Sequence, residues 1–196
     1  MILLTGFSLN SSPLVKRYTV EELNLLPEPE DHSKLELIDG VLYMSPLPLP
    51  EHSNGIEKID SYLRGLIFSG EIKGKVYRPR AGIRSGKNTW LEPDLFYLSE
   101  TTAARFTNSI PTTADLVIEV LSPSTAEYDR KAKADTYSAL SIRELWLVDL
   151  VDKTIEVREN PKATKSWERY VLYTWGEVIQ SPVLGISVDT EFLSIT

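Results

Sequence analysis

The chain has 196 residues, 42% of them hydrophobic, enough to fill one substantial core and to exclude disorder as its main state. It contains no cysteine, so disulfides, zinc-thiolate sites and cysteine nucleophiles are excluded and a reducing, cytoplasmic compartment is expected. A net charge of −7 argues against a non-specific nucleic-acid binder with an overall basic surface.

The opening Met1–Phe7 is apolar but lacks a cationic start and runs straight into polar Ser8–Ser12, so it is not read as a secretory signal. No run approaches the roughly 20 apolar residues that span a bilayer, and a soluble protein is expected. After an N-terminal extension, residues 1–17, Thr19 and Glu22 form a capping box that opens a short helix ending by Pro27, with Tyr18 and Leu23 as its hydrophobic staple. Leu35–Met44 reads as two strands hinged at Asp39-Gly40, a hairpin dipeptide. Between His52 and Ser69, Ile56, Ile59, Leu63, Leu66 and Ile67 recur at helical spacing and predict an amphipathic helix over one sheet face.

Val76–Ile83, Trp90–Leu98 and Leu116–Leu121 read as strands, the first broken by Pro79 and so suited to an edge. From Lys73 to Lys87 six cations (Lys73, Lys75, Arg78, Arg80, Arg84, Lys87) occur with no acid. They are either a solvated hairpin or a local phosphate-contacting strip. Ser124 and Glu127 form a second capping box, opening a helix that runs to about Leu140 and then to the strand Glu144–Asp149, a crossover unit of the kind that joins parallel strands. Thr154–Arg158, Trp167–Thr174 and Val183–Val188 read as short strands. The expectation is one α+β (α/β) domain over residues 1–196, a single mixed sheet flanked by helices, with a β-rich tail at 159–196.

Two acids stand out. Glu119 lies inside the apolar run Asp115–Leu121, and Asp94 precedes the strand Leu95–Leu98. A buried carboxylate is costly unless paired, hydrogen-bonded or bound to metal, and two that converge are relieved by a cation between them. Alternatively, Asp94 ends a strand on backbone amides and Glu119 pairs with an arginine. Glu36, alternating with apolar neighbours, faces either the core or solvent; Asp39 belongs to its turn. With only His32 and His52 present, a metal is expected on oxygen ligands, which favours magnesium or manganese.

A lysine near such a site stabilises charge developing on a phosphate. Lys131 is four residues from both Glu127 and Asp135, a solvated ion-pair spacing. Lys133 falls on the stripe Asp129, Lys133, Tyr137, Leu140 that faces the sheet, and is the better candidate. His52 either contacts phosphate or is structural. Ser122, Ser124 and Thr125 have no histidine base nearby in sequence, and no glycine-rich phosphate loop occurs.

Taken together, Glu36-Leu-Ile-Asp-Gly40, His52, Pro93-Asp94, Leu116–Thr125 with its Glu-Val-Leu-Ser-Pro-Ser-Thr block, Asp129 with Lys133 and Tyr137, and Glu144–Asp149 resemble the Uma2 family of restriction-endonuclease-like proteins, within the PD-(D/E)XK nuclease superfamily. The resemblance covers roughly Tyr18–Arg158. It implies a mixed-sheet core flanked by helices, an acidic site of Glu36, Asp94 and Glu119, and magnesium-dependent cleavage of DNA. The superfamily pattern places lysine two residues after the second acid, where this chain has Leu121, so either Lys133 supplies the cation from the next helix or the site is impaired. The resulting expectations are a metal-dependent endodeoxyribonuclease with Arg78, Arg80, Arg84 and His52 toward the substrate, or a nuclease-fold protein that binds nucleic acid or a protein partner without cutting. A metal site for some other hydrolysis is a third possibility, and nuclease folds of this size often form homodimers.

Overall fold

The computed structural model describes residues 16–194. The Met1–Phe7 segment and nearly all of the expected N-terminal extension lie outside the described residues. Helix α1 (Val20–Leu23) starts at the expected capping box, with the Thr19 hydroxyl accepting from the Glu22 amide and the Glu22 carboxylate accepting from the Thr19 amide. Strands β1 (Lys34–Ile38) and β2 (Val41–Ser45) pair antiparallel in the register Ile38↔Val41 to Lys34↔Ser45. Their two-residue turn has φ of 49° at Asp39 and 78° at Gly40, the doubly positive conformation that favours Asp-Gly.

Helix α2 (Pro50–Ser69) begins with proline in its first turn, where no amide partner is needed, and ends on left-handed Gly70. Its buried stripe includes Ile59, Leu63 and Leu66, as the spacing predicts.

Two expected strands divide. Val76–Ile83 becomes β3 (Gly74–Tyr77) and β4 (Ile83–Ser85), and Trp90–Leu98 becomes β5 (Thr89–Leu91) and β6 (Leu95–Ser99). In each case the break holds a proline, Pro79 or Pro93, which cannot donate to a ladder, and the chain changes sheet there. With β7 (Leu116–Val120), β8 (Glu144–Asp149), β9 (Thr154–Glu159) and β10 (Arg169–Thr174), the expected single sheet is therefore several: β2-β1-β5-β4, and a six-stranded β10-β9-β8-β7-β6-β3 in which only the β7–β8 pair is parallel. Strand β3 is an edge, as Pro79 suggested.

Strands β7 (Leu116–Val120) and β8 (Glu144–Asp149) form the parallel crossover pair, β7 buried on both faces. Leu116, Ile118 and Val120 pack on the α2 side, while Val117 and Leu121 pack with Ala134 and Tyr137 on the other. The two-residue period of a strand puts Glu119 on the second side. Helix α3 (Glu100–Arg105) follows β6. The crossover helical segment consists of α4 (Ala126–Tyr128), a π-helical turn at Asp129–Lys133, and α5 (Ala134–Ala139).

The expected Ser124–Glu127 capping box does not form. Thr125 is the cap residue and makes no side-chain cap bond; the Ser122 carbonyl accepts from the Thr125 and Ala126 amides, and the hydroxyls of Ser122, Ser124 and Thr125 bond one another. Strands β9 (Thr154–Glu159) and β10 (Arg169–Thr174) extend the main sheet. The expected strand at 183–188 is instead the hairpin of β11 (Val178–Ser181) and β12 (Ile186–Asp189), with residues 183–185 in its turn, followed by a 3-10 turn at Thr190–Leu193. Ile179, Leu184, Val188 and Leu193 join the core beside α2.

Candidate active site

Sheet and crossover bring four of the sequence candidates together. Glu119, on the helix-facing side of β7, lies with its Oε1 2.6 Å from the Lys133 Nζ, and the same oxygen accepts from the Tyr137 hydroxyl. Its Oε2 accepts from the Asp94 amide at 3.3 Å. Asp94 returns the contact one residue further on: Oδ2 accepts from the Val120 amide at 2.9 Å. The two acids thus clasp each other's backbones where β6 and β7 lie side by side. Glu36 comes in from β1 in the smaller sheet, its Oε1 accepting from the Glu92 amide at 2.8 Å and lying 3.5 Å from Lys133 Nζ.

Lys133 also lies 3.6 Å from Asp129 Oδ1. The π turn spans Asp129 to Lys133, a local widening frequently found at functional sites. Lys131 makes the exposed pair with Glu127, at 2.8 Å, that its spacing predicts. His52, in the first turns of α2, has its Nε2 3.1 Å from Asp94 Oδ2. Arg80 reaches the same cleft, whereas Arg78 bonds Asp60 and Arg84 bonds Glu21 outside it. Each of these three arginines has an acidic partner, Arg80 pairing with Glu28 at 3.7 Å.

Several site residues were not read from the sequence. Lys34 donates to the Glu92 carbonyl at 2.6 Å and lies 3.9 Å from Asp94 Oδ1. It sits two residues from Glu36 on one strand, a same-face spacing that was legible. Asp129, named in the sequence only on the Lys133 stripe and in the family pattern, joins the site one turn before Lys133. Tyr128, stacked on Tyr43 at 4.6 Å with its ring 5.8 Å from Lys133 Nζ, carries no pattern that marks it. Nor does Glu92, which accepts from Trp90 Nε1.

The electrostatics divide the two strand acids. Burial pushes Glu119 up to about 7, reinforced by the charges of Asp94 and Asp129 and resisted by Lys133. Burial acts on Asp94 too, but the His52 hydrogen bond and the Lys34 charge outweigh it and hold the carboxyl below its ordinary range. Asp129 is raised, again chiefly by burial. Lys133 loses solvation, yet the surrounding carboxylates hold it firmly protonated. For His52 likewise, Asp94 outweighs burial and raises the imidazole.

These groups line a cleft of about 580 Å³ that also takes in the loop between β2 and α2. Among the described residues, no three acids or imidazoles are already drawn into a ligand cluster for a metal ion, because Lys133 occupies the space between Glu36, Glu119 and Asp129 and His52 takes one oxygen of Asp94. The carboxylates lining the cleft are those of Glu92, Asp94, Glu119 and Asp129, with Glu36 behind them at Lys133.

The fold and site together define an α+β protein whose mixed six-stranded sheet carries a cleft of carboxylates and a buried lysine beside its parallel strand pair. The model of the Uma2 family, described as "Putative restriction endonuclease", matches residues 20–191, and the chain belongs to that family. A solved structure, described as "a putative nuclease belonging to DUF820 from Anabaena variabilis ATCC 29413", is similar over 89% of this chain and 96% of its own, with a TM-score of 0.70 and 20% identity, a likeness that establishes the fold. Comparison with curated proteins found no match.

Proposed function

We propose that the chain is a magnesium-dependent endonuclease that hydrolyses DNA phosphodiester bonds. The observation that supports this reading is the convergence of Glu36 and Glu119, from two strands of different sheets, on the buried ammonium of Lys133, with Asp94, just ahead of β6, joined to Glu119 through its backbone amide.

The residues fit a hard divalent cation. Their donors are carboxylate oxygens, which magnesium and manganese prefer. The carboxylates of Glu36, Asp94, Glu119 and Asp129 share the ammoniums of Lys34 and Lys133 and the imidazole of His52; burial raises Glu119 and Asp129, and a divalent ion beside them would favour their ionised forms. Buried side-chain atoms without a hydrogen-bond partner also gather here: Glu36 Oε2, His52 Nδ1, Glu92 Oε2 and the Tyr128 hydroxyl. Buried polar groups are ordinarily satisfied, so such a concentration marks a place built for something the chain itself does not supply. Asp94 and Glu119, with Glu36 behind them, would hold the ion, which when bound would acidify a water and offset charge on the phosphate.

The chain's own groups do the rest. Tyr137 and Lys133 both engage Oε1 of Glu119, which orients Oε2 toward Asp94. His52 and Lys34 keep Asp94 ionised. Lys133, supplied from the helix because Leu121 is packed in the core, stands ready to stabilise charge on the phosphate. In the reaction a P–O bond forms to the water oxygen while a P–O ester bond breaks, the water losing a proton and the departing oxygen gaining one.

Supercoiled plasmid incubated with protein and magnesium is expected to be nicked, and not in EDTA. Asp94→Asn is expected to slow nicking by about 100-fold or more, a loss of roughly 3 kcal/mol in transition-state stabilisation, with an unchanged circular dichroism spectrum. An undiminished rate in that variant rejects the assignment. The second reading, a non-cutting binder, is favoured by the engagement of Lys133 with three carboxylates. It prevails if wild-type protein binds DNA in a salt-sensitive way without turnover.

A further inference from the structure

The reactive groups lie deep. Glu36 is 0% exposed, Glu119 and Lys133 1%, Asp129 5% and Asp94 7%. A phosphate on an intact duplex is carried by a stiff rod, which reaches groups at this depth less readily than a flexible single strand does. Part of the cleft wall is apolar: Pro46, Leu47, Pro48 and Leu49, from the loop between β2 and α2, line it together with Pro79 and Pro123. Leu47 and Leu49 are 58% and 62% exposed, an unusual placement for two leucines beside four carboxylates. Two arginines of the basic strip are paired with acids away from the cleft, Arg78 with Asp60 and Arg84 with Glu21, while Lys34 and Arg80 reach the cleft. A volume of about 580 Å³ falls in the range of roughly 300–1,000 Å³ found for small-ligand pockets, the scale of a nucleotide rather than a helix.

We propose that this cleft receives one unpaired or extruded nucleotide of a DNA strand, its base seated against the Leu47–Leu49 loop, which makes the enzyme selective for single-stranded or locally unpaired DNA over intact duplex. The inference rests on the endonuclease reading and names its substrate class. Charge complementarity places the two ends of the nucleotide: the base meets the proline and leucine wall, and the phosphate meets Lys34, Lys133 and the ion that the carboxylates would hold. Apolar side chains of these kinds separate or support bases elsewhere, and extruding a nucleotide costs least where it is already unpaired.

The test compares one labelled sequence as single strand, as duplex with a central unpaired bubble, and as intact duplex, in magnesium. Single strand and bubble are expected to be cut at least about tenfold faster than duplex. The paired substitution Leu47→Ser with Leu49→Ser, both exposed and so harmless to folding as checked by thermal melting, is expected to raise KM on single strand by about tenfold with little change in kcat. In parallel, a strand carrying 2-aminopurine is titrated with wild-type protein in calcium, where no cutting is needed. Its fluorescence is expected to change on binding, and to change less with the paired variant. Equal rates on duplex and single strand overturn the inference while leaving the endonuclease reading intact. Failure to cut any substrate, with the fluorescence response present, overturns the endonuclease reading alone; absence of that response overturns the inference.

Discussion

At Lys133, fold stability and the proposed chemistry meet in a single residue. Its ammonium is buried among Glu119, Glu36 and Asp129 at 2.6, 3.5 and 3.6 Å. Removing one partner of a buried ion pair leaves charge uncompensated, at a cost of about 3–5 kcal/mol. Lys133→Met is therefore expected to lower unfolding free energy by about that amount in urea titrations, and to recover part of the loss when magnesium is added, because a cation then replaces the ammonium. No recovery would count against Glu36 and Glu119 as metal donors. That Lys133 faces inward and Lys131 outward was legible from helical spacing alone, since one stripe pointed to the sheet and the other to solvent. The side of β1 on which Glu36 lies was not, because alternation gives two faces and does not say which is covered.

Individual elements carry constraints of their own. Strand β3 can sit against β6 because Gly74 has no side chain; a Cβ there would come within 2.2 Å of the Leu98 carbonyl and 2.7 Å of the Tyr97 ring. Backbone cannot yield as a flexible side chain does, so Gly74→Ala is expected to destabilise by about 1–3 kcal/mol, read as a lower urea midpoint. At the start of β8, Glu144 accepts from Trp146 Nε1 at 2.6 Å, the Ser181 hydroxyl at 2.9 Å and the Val183 amide at 3.2 Å, fastening the β11–β12 hairpin to the main sheet. Burial, with the charge of Glu159, raises its carboxyl despite those donors. A native pKa above the unfolded one contributes stability that is fully present below the unfolded value and is lost as pH rises through the native value. Wild-type stability is therefore expected to fall relative to Glu144→Gln from about pH 4 upward, by at most about 1.4 kcal/mol per pH unit. Parallel pH profiles for the two proteins would show that the carboxyl is not shifted.

At the scale of the molecule, the net charge of −7 and the pairing of Arg78, Arg80 and Arg84 with acids leave little surface for a long phosphate track. Each phosphate neutralised on a single strand lowers the slope of log affinity against log salt by about 0.7. With Lys34 and Arg80 in the cleft, the expected slope is roughly −1 to −2, measured by fluorescence anisotropy in calcium across a sodium chloride series. A slope near −5 would mean that the basic strip from Lys73 to Lys87 grips the backbone after all.

Sequence alone determined what depends on near neighbours. The capping box at Thr19, the Asp39-Gly40 turn, the stripe of α2, the crossover from β7 to β8 and the inward face of Lys133 all follow from spacings of two to four residues. Their energetics are local, so the pattern suffices. The tertiary structure decided what depends on partners distant in the chain: that Pro79 and Pro93 divide two strands between sheets, that the arginines of the basic strip are taken by Glu21, Glu28 and Asp60, and that Lys34 and His52 hold Asp94. It also decided that the Ser124 box gives way to hydroxyls bonding one another ahead of a π turn. Burial and charge pairing are set by whichever side chains arrive from elsewhere, and no local spacing records their arrival.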